Sequence, residues 1–303
     1  MINKLVASVL PFMPKKMIWI FSKRYIAGET IDECLKVAKE LNNEGNEVTI
    51  DLLGEFVNNL DQAKEYKDKY LEIIERFTSE NITGNFSLKP TMFGLLVNKE
   101  ICRNYLEEII NKAVEKNSFV RIDMEDSQCV DSEIEIYQYF LRKYPANVGL
   151  VVQAYLRRTI SDLIHLKDSQ LNGTPLSFRL CKGIYIEPEH IAFKSYKEIQ
   201  DHYMEDLEYM FNQKMHVGIA THDKQLVDRA NVMIEEKKVA PDMYEFQMLY
   251  GVTPELRKSI LANGHKMRVY VPFGKEWMGY SMRRLKENPK MVSHIIKALF
   301  VRG

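Results

Sequence analysis

Eight short runs rich in β-branched and aromatic residues recur along the chain, each followed by a segment long enough to form a helix. They are EVTIDLLGE at 47–55, NFSLKP at 85–90, FVRIDMED at 119–126, NVGLVVQAY at 147–155, LSFRLCKG at 176–183, HVGIATHD at 216–223, YEFQMLYG at 244–251 and MRVYVPFG at 267–274. Intervening segments such as ICRNYLEEIINKAVEKN and DKQLVDRANVMIEEKK place apolar residues at helical spacing. The nearly continuous apolar stretches VGLVV and VGIA suit parallel strands buried on both faces. Eight such units predict an α/β fold closed into a (β/α)8 barrel of the TIM type, with a doubly wound sheet as the alternative. Residues 1–45 then form an N-terminal helical arm and 46–303 the barrel. No linker rich in Gly, Pro or Ser divides the barrel segment.

Charge narrows the range of partners. Lys+Arg and Asp+Glu balance at 42 each, so there is no global basic field for nucleic acid. Cys34, Cys102, Cys129 and Cys181 form neither a CxxC pair nor a metal-ligand spacing and read as reduced thiols of a cytoplasmic protein. The first residues, MINKLVASVLPFMPKKMIWIFSKRY, have a signal-like look, but Pro11, Pro14, Lys15 and Lys16 interrupt the apolar run and its pieces are too short to span a bilayer. A docked helix and a membrane-surface contact are the two readings of that stretch, the first preferred.

A barrel of this type carries its active site at the C-terminal ends of the strands, and here those ends are polar. The runs bring Glu55, Lys89, Asp123, Glu125, Asp126, Gln153, Tyr155, Arg179, Lys182, Thr221, His222, Glu245, Gln247 and Tyr270 toward one rim. Each alone is an ordinary loop residue; together they describe a polar-lined pocket. Asp123, Glu125, His222 and Glu245 offer a metal reading, but no HExxH pair supports it and Lys89, Arg179 and Lys182 on the same rim oppose a divalent ion, so no metal is expected. GxSxG, GxGxxG and GxxxxGK[ST] motifs are absent as well. The cations suit a ligand bearing a carboxylate or phosphate. Near the C-terminus, GYSMRRLKENP puts Tyr280, Arg283, Arg284 and Glu287 on one helical face, with Met278, Met282 and Leu285 opposite.

The segments RLCKGIYIEP, IATHD, YEFQMLYGV, RVYVPFG and YSMRRLKENP, in this order at successive strand ends, resemble those of the FAD-dependent proline dehydrogenases. The resemblance runs from DLLGE near residue 51 to RRLKENP near 289 and is closest to the monofunctional form. It implies a distorted (β/α)8 barrel in which residues 46–303 bind flavin and substrate, FAD as cofactor, and oxidation of L-proline to Δ1-pyrroline-5-carboxylate. A quinone-type electron acceptor and a peripheral contact with the inner face of the membrane are implied with it. Carried over by position, Arg283 and Arg284 grip the substrate carboxylate with Lys89 as a third cation, and Tyr270, Tyr280 and Leu249 wall the ring. Asp123 lies near Lys89 and the substrate, Glu55 pairs with Arg283, and Glu287 orients a guanidinium. On the cofactor side the resemblance implies Arg179 near flavin N5, Gln153 on the ring system, Lys182 and Gly183 toward the pyrophosphate, and Thr221, His222, Glu245 and Gln247 as further contacts. Ile184 in the same loop departs from the family's usual alanine. Two other readings remain at this point: a flavin barrel that senses an amino acid, and a methylenetetrahydrofolate reductase-like flavin barrel.

Overall fold

The computed structural model describes residues 15–171 and 173–287. Eight strands, β1 (Glu47–Leu52), β2 (Gly84–Leu88), β3 (Val120–Ile122), β4 (Val148–Gln153), β5 (Ser177–Cys181), β6 (His216–Ala220), β7 (Tyr244–Leu249) and β8 (Met267–Phe273), close into a barrel in chain order. Every neighbouring pair is parallel, and β1 joins β8 from Glu47 opposite Arg268 to Leu52 opposite Phe273. That last pairing excludes the doubly wound alternative. Each of the eight runs contains one strand, and the polar residue or residues closing most runs fall in the loops beyond it. In the third run the ladder stops at Ile122. Asp123 still donates its N–H to the Leu88 carbonyl, but the Glu125 N–H turns to the Glu133 carboxylate instead.

Among the described residues two helices precede the barrel, α1 (Lys15–Ser22) and α2 (Ile31–Asn43). Thr30 and Glu33 form a reciprocal capping box at the start of α2, and its stripe of Cys34, Leu35, Ala38 and Leu41 is buried in the main core against β1 and β8. This part of the predicted arm therefore packs on the barrel wall. With that stretch of wall covered, the last helix among the described residues, Trp277–Glu287, leans on α1. The Trp19 and Trp277 rings lie 4.8 Å apart, and Trp277 Nε1 donates to Glu29 Oε1 at 2.8 Å. Ile18, Tyr25, Ile26, Leu53, Trp277 and Tyr280 make a second, smaller apolar cluster there.

The barrel interior is unusual in being polar, where branched aliphatic layers are the rule. Side chains alternate in and out along a strand, so Thr49, Asn85, Arg121, Glu245 and Arg268, all buried, fill the lower interior. Arg268 holds Glu245 with two prongs, Nε to Oε1 at 2.6 Å and Nη2 to Oε2 at 2.9 Å, and gives Nη1 to the Val48 carbonyl at 3.1 Å. Burial alone would push the Glu245 carboxyl up, but the Arg268 charge outweighs it and holds the group at about 2. Arg121 donates to the Ser177 carbonyl and hydroxyl at 2.9 and 3.2 Å.

Candidate active site

A cavity of about 1100 Å³ opens at the C-terminal ends of the strands. Its floor holds two carboxylates and two cations. Lys89 Nζ lies 2.6 Å from Asp51 Oδ1, 3.2 Å from Tyr270 Oη and 3.4 Å from Asp123 Oδ2. Asp123 is the hub, because its Oδ1 accepts from Ser87 Oγ and, at 3.0 Å, from Arg179 Nη1, while Oδ2 accepts from Tyr270 Oη at 3.0 Å. Arg179 also gives Nη1 to Ser87 Oγ at 3.0 Å and Nε to Gln247 Oε1 at 2.6 Å. Gln247 in turn donates to Glu245 at 2.6 Å and crosses Gly218 so closely that a Cβ there would stand 2.3 Å from its amide nitrogen. The floor is thus wired to the charged layer beneath it.

The charges resolve in a clear order. Burial would push the Asp123 carboxyl up, but Lys89 and Arg179 outweigh it and hold it below the usual carboxylate range. Burial would lower the Lys89 ammonium; the neighbouring Asp51, Tyr270 and Asp123 outweigh it and keep it well above the ordinary lysine range. Asp51 differs: burial pushes its carboxyl up, and Lys89 offsets only part of that. With both carboxylates ionised, the four floor groups sum to zero. A bound carboxylate therefore needs a cation from elsewhere.

Most of the residues singled out from sequence meet at this cavity. Glu55, Lys89, Asp123, Leu249, Tyr270 and Tyr280 line it on the side of the first and last strands, and Gln153, Arg179, Lys182, Gly183, Ile184, Thr221, His222 and Gln247 on the other. His222 Nε2 accepts the Leu249 N–H at 2.8 Å, which ties the loops after β6 and β7 together and puts the ring proton on Nδ1. Thr221 Oγ1 accepts the Asp223 N–H at 3.1 Å, and Lys182 Nζ stands 3.5 Å from Asp223 and over the Tyr196 ring. Gly279 and Tyr280 bring the last helix over the mouth. Arg283, Arg284 and Glu287 follow on that helix, but their side chains lie outside the described residues.

Glu245 requires a correction. Predicted as a cofactor contact, it is clamped by Arg268 below the floor and does not line the cavity. Glu245, Gln247 and Leu249 all face inward along β7 at successive depths, and at about 3.3 Å per residue Glu245 sits roughly 13 Å back along the strand from Leu249. The four metal candidates also serve separate partners: Glu125 accepts from Thr91 N–H and Oγ1 at 2.9 and 2.5 Å, Glu245 is on Arg268, His222 on Leu249, and Asp123 on the floor cations.

Asp51, Ser87, Tyr66, Tyr185 and Tyr196 were missed. Asp51, Tyr66, Tyr185 and Tyr196 line the cavity, and Ser87 bonds to its floor. Asp51 did have a signal: an acid in the middle of the run VTIDLL, in phase with inward-facing Thr49, has to be buried and therefore paired.

Behind the floor, Glu125 and Glu133 are fully buried side by side, with the Glu125 N–H 3.1 Å from both Glu133 oxygens. Burial pushes Glu125 up to about 7 and Glu133 well above the carboxylate range. Both folded values are raised, so this pair's stability contribution is full below the unfolded range near 4.5 and is lost as pH rises through about 7. Glu133→Gln removes one of the two charges. Its urea unfolding free energy is expected to fall between pH 5.5 and 8 by roughly 1 to 3 kcal/mol less than the parent's. Parallel pH dependences would show that the pair carries no shared proton.

Fold and site together define a class: a (β/α)8-barrel enzyme with a charge-balanced polar cavity at the C-terminal rim. The family model described as Proline dehydrogenase matches residues 34–297, and the chain belongs to that family. It is 32% identical over 276 residues to proline dehydrogenase 2 of Bacillus subtilis (strain 168), covering 91% of this chain and 89% of that one. Against the proline dehydrogenase of Deinococcus radiodurans it is 28% identical over 291 residues, covering 95% and 92%. The crystal structure of proline utilization A (PutA) from Bdellovibrio bacteriovorus inactivated by N-propargylglycine is similar with a TM-score of 0.83 at 26% identity over 88% of this chain, which spans 32% of that longer protein.

Membership implies a flavin cofactor, and two observations fit one. Arg179 Nη2 is a buried donor for which no protein partner stands within reach among the described residues, at the floor of the cavity. Gly183, with φ of +106°, brings the loop after β5 so close that a Cβ would stand 2.0 Å from the Tyr155 ring. That loop presents backbone and the Lys182 ammonium to the same space, suited to a polar, anionic group.

Proposed function

We propose that this chain oxidises L-proline to Δ1-pyrroline-5-carboxylate, the first step of proline catabolism, with FAD as the cofactor and a quinone-type molecule as the acceptor that reoxidises it. The observation that carries the reading is the neutral floor: Lys89 and Arg179 are balanced by Asp51 and Asp123, while the helix bearing Arg283 and Arg284 has its first turns on the cavity. Those two guanidiniums take the substrate carboxylate, for which paired planar forks are better suited than a lone ammonium. Tyr270, Tyr280 and Leu249 flank the ring, and a close apolar wall discriminates by roughly 1 to 3 kcal/mol per added methylene. Glu55 orders Arg283 across the mouth, and Glu287 orients the guanidinium pair one turn away. On the far side Arg179, Gln153, Gln247, Lys182, Gly183, Ile184, Thr221 and His222 hold FAD, which when bound accepts the hydride from the ring carbon beside the nitrogen. No side chain acts as a nucleophile; the protein positions two molecules and balances their charge. Among the described residues no helix is long and apolar enough to cross a membrane. Contact with a quinone at the cytoplasmic membrane face would then be peripheral.

Anaerobic mixing of the purified protein with L-proline is the direct test. The visible flavin absorption is expected to bleach as the imine product appears. A bound flavin that keeps its colour with proline would favour the sensing barrel, and bleaching by NAD(P)H alone the reductase-like reading; either result overturns the proposal.

A further inference from the structure

Lys89 lines the ligand space and has a choice of partners, and the structure holds it down. Its shortest contact is Asp51 Oδ1 at 2.6 Å, against 3.4 Å to Asp123, which already serves Ser87, Arg179 and Tyr270. Asp51 is 1% exposed, sits on β1 and lines the cavity, and its neighbours are Lys89, Asp123, Tyr270 and Tyr70. Without the Asp51 charge the floor would carry one net positive charge beneath the ligand, and the Lys89 ammonium would be freer to turn toward an anion.

We propose that Asp51 is a positioning residue that pins Lys89 to the floor and keeps the floor neutral, so that the pocket does not favour a bare ring carboxylate over one that brings its own amine. Lys89 alone would bias the pocket the other way, since an unbalanced ammonium attracts any carboxylate and repels the ligand's own ammonium. A neutral floor removes that bias and leaves the amino acid and the bare acid to be separated by the rest of the cavity. The inference rests on the proline reading of the site but concerns binding, not turnover.

The experiment compares binding of L-proline and of cyclopentanecarboxylate, the ring acid without nitrogen, to the flavin-loaded protein. Binding of the acid is followed by calorimetry and by perturbation of the flavin spectrum, and proline is followed through KM. Asp51→Asn is expected to tighten cyclopentanecarboxylate about tenfold without lowering proline KM. Asp51→Glu, which keeps the charge, is expected to bind cyclopentanecarboxylate no tighter than the parent, and Asp51→Asn combined with Lys89→Met to lose the gain. If Asp51→Asn does not fold, an Asp51→Glu protein that binds the bare acid no tighter than the parent supports the charge argument, and one that binds it tenfold tighter overturns it. Unchanged cyclopentanecarboxylate affinity in a folded, flavin-loaded Asp51→Asn protein also overturns it. Failure of the proline reading looks different: the parent itself would then show no bleaching with proline.

Discussion

Replacing Arg179 with methionine is expected to lower kcat for proline by about 10²- to 10³-fold while the barrel stays folded. Preorganised donors facing developing negative charge contribute about 3 to 4 kcal/mol each. In the proposed site Arg179 takes that role, and its Nη2 is buried, on a cavity-lining residue, and without a hydrogen-bond partner among the described residues. The same guanidinium gives Asp123 a charge-assisted hydrogen bond at 3.0 Å and Gln247 another at 2.6 Å. Its removal therefore also lets the Asp123 carboxyl rise from its depressed value, leaving Lys89 as its remaining cation. Steady-state turnover together with the potential of the bound flavin checks this. A lower kcat with a more negative potential is expected, whereas an unaltered potential with normal turnover would place Arg179 outside the reaction.

The second large effect lies below the floor. Glu245→Ala is expected to lower the unfolding free energy by about 3 to 5 kcal/mol, because it strands a buried guanidinium. Arg268 loses both prongs of its clamp and keeps Glu47 and the Val48 carbonyl, while Arg121 loses the nearby anion that offsets its burial. Pairing Glu245→Ala with Arg268→Met should recover much of the loss, since replacing both partners of a buried ion pair is far milder than removing one. Chemical denaturation of the two variants reads this directly. If Glu245 touched the cofactor instead, the single variant would lose flavin with unchanged stability.

These residues mark what could be read in advance. Parallel pairing was legible because strands covered on both faces need long apolar stretches, and VGLVV and VGIA have them. The rim was legible for a related reason: Lys89, Gln153 and Thr221 come at or near the end of a β run, and in a barrel those ends converge. Depth was not legible. Glu245 and Gln247 share an inward phase, so their sequence positions alone do not separate the buried clamp from the cavity floor. Nor was the partner of Asp51, which lies 38 positions away, just beyond the neighbouring strand.

By itself the sequence determined the number of strands, their parallel sense and the set of polar groups that could meet, because these follow from local pattern and chain order. Only the tertiary structure decided that α2 takes a place on the barrel wall and leaves the last helix to the mouth. It also decided which acid neutralises which cation: Asp51 with Lys89, Glu245 with Arg268. Ion pairing depends on distances of a few ångströms between residues far apart in the chain, and closure of the barrel is what sets them.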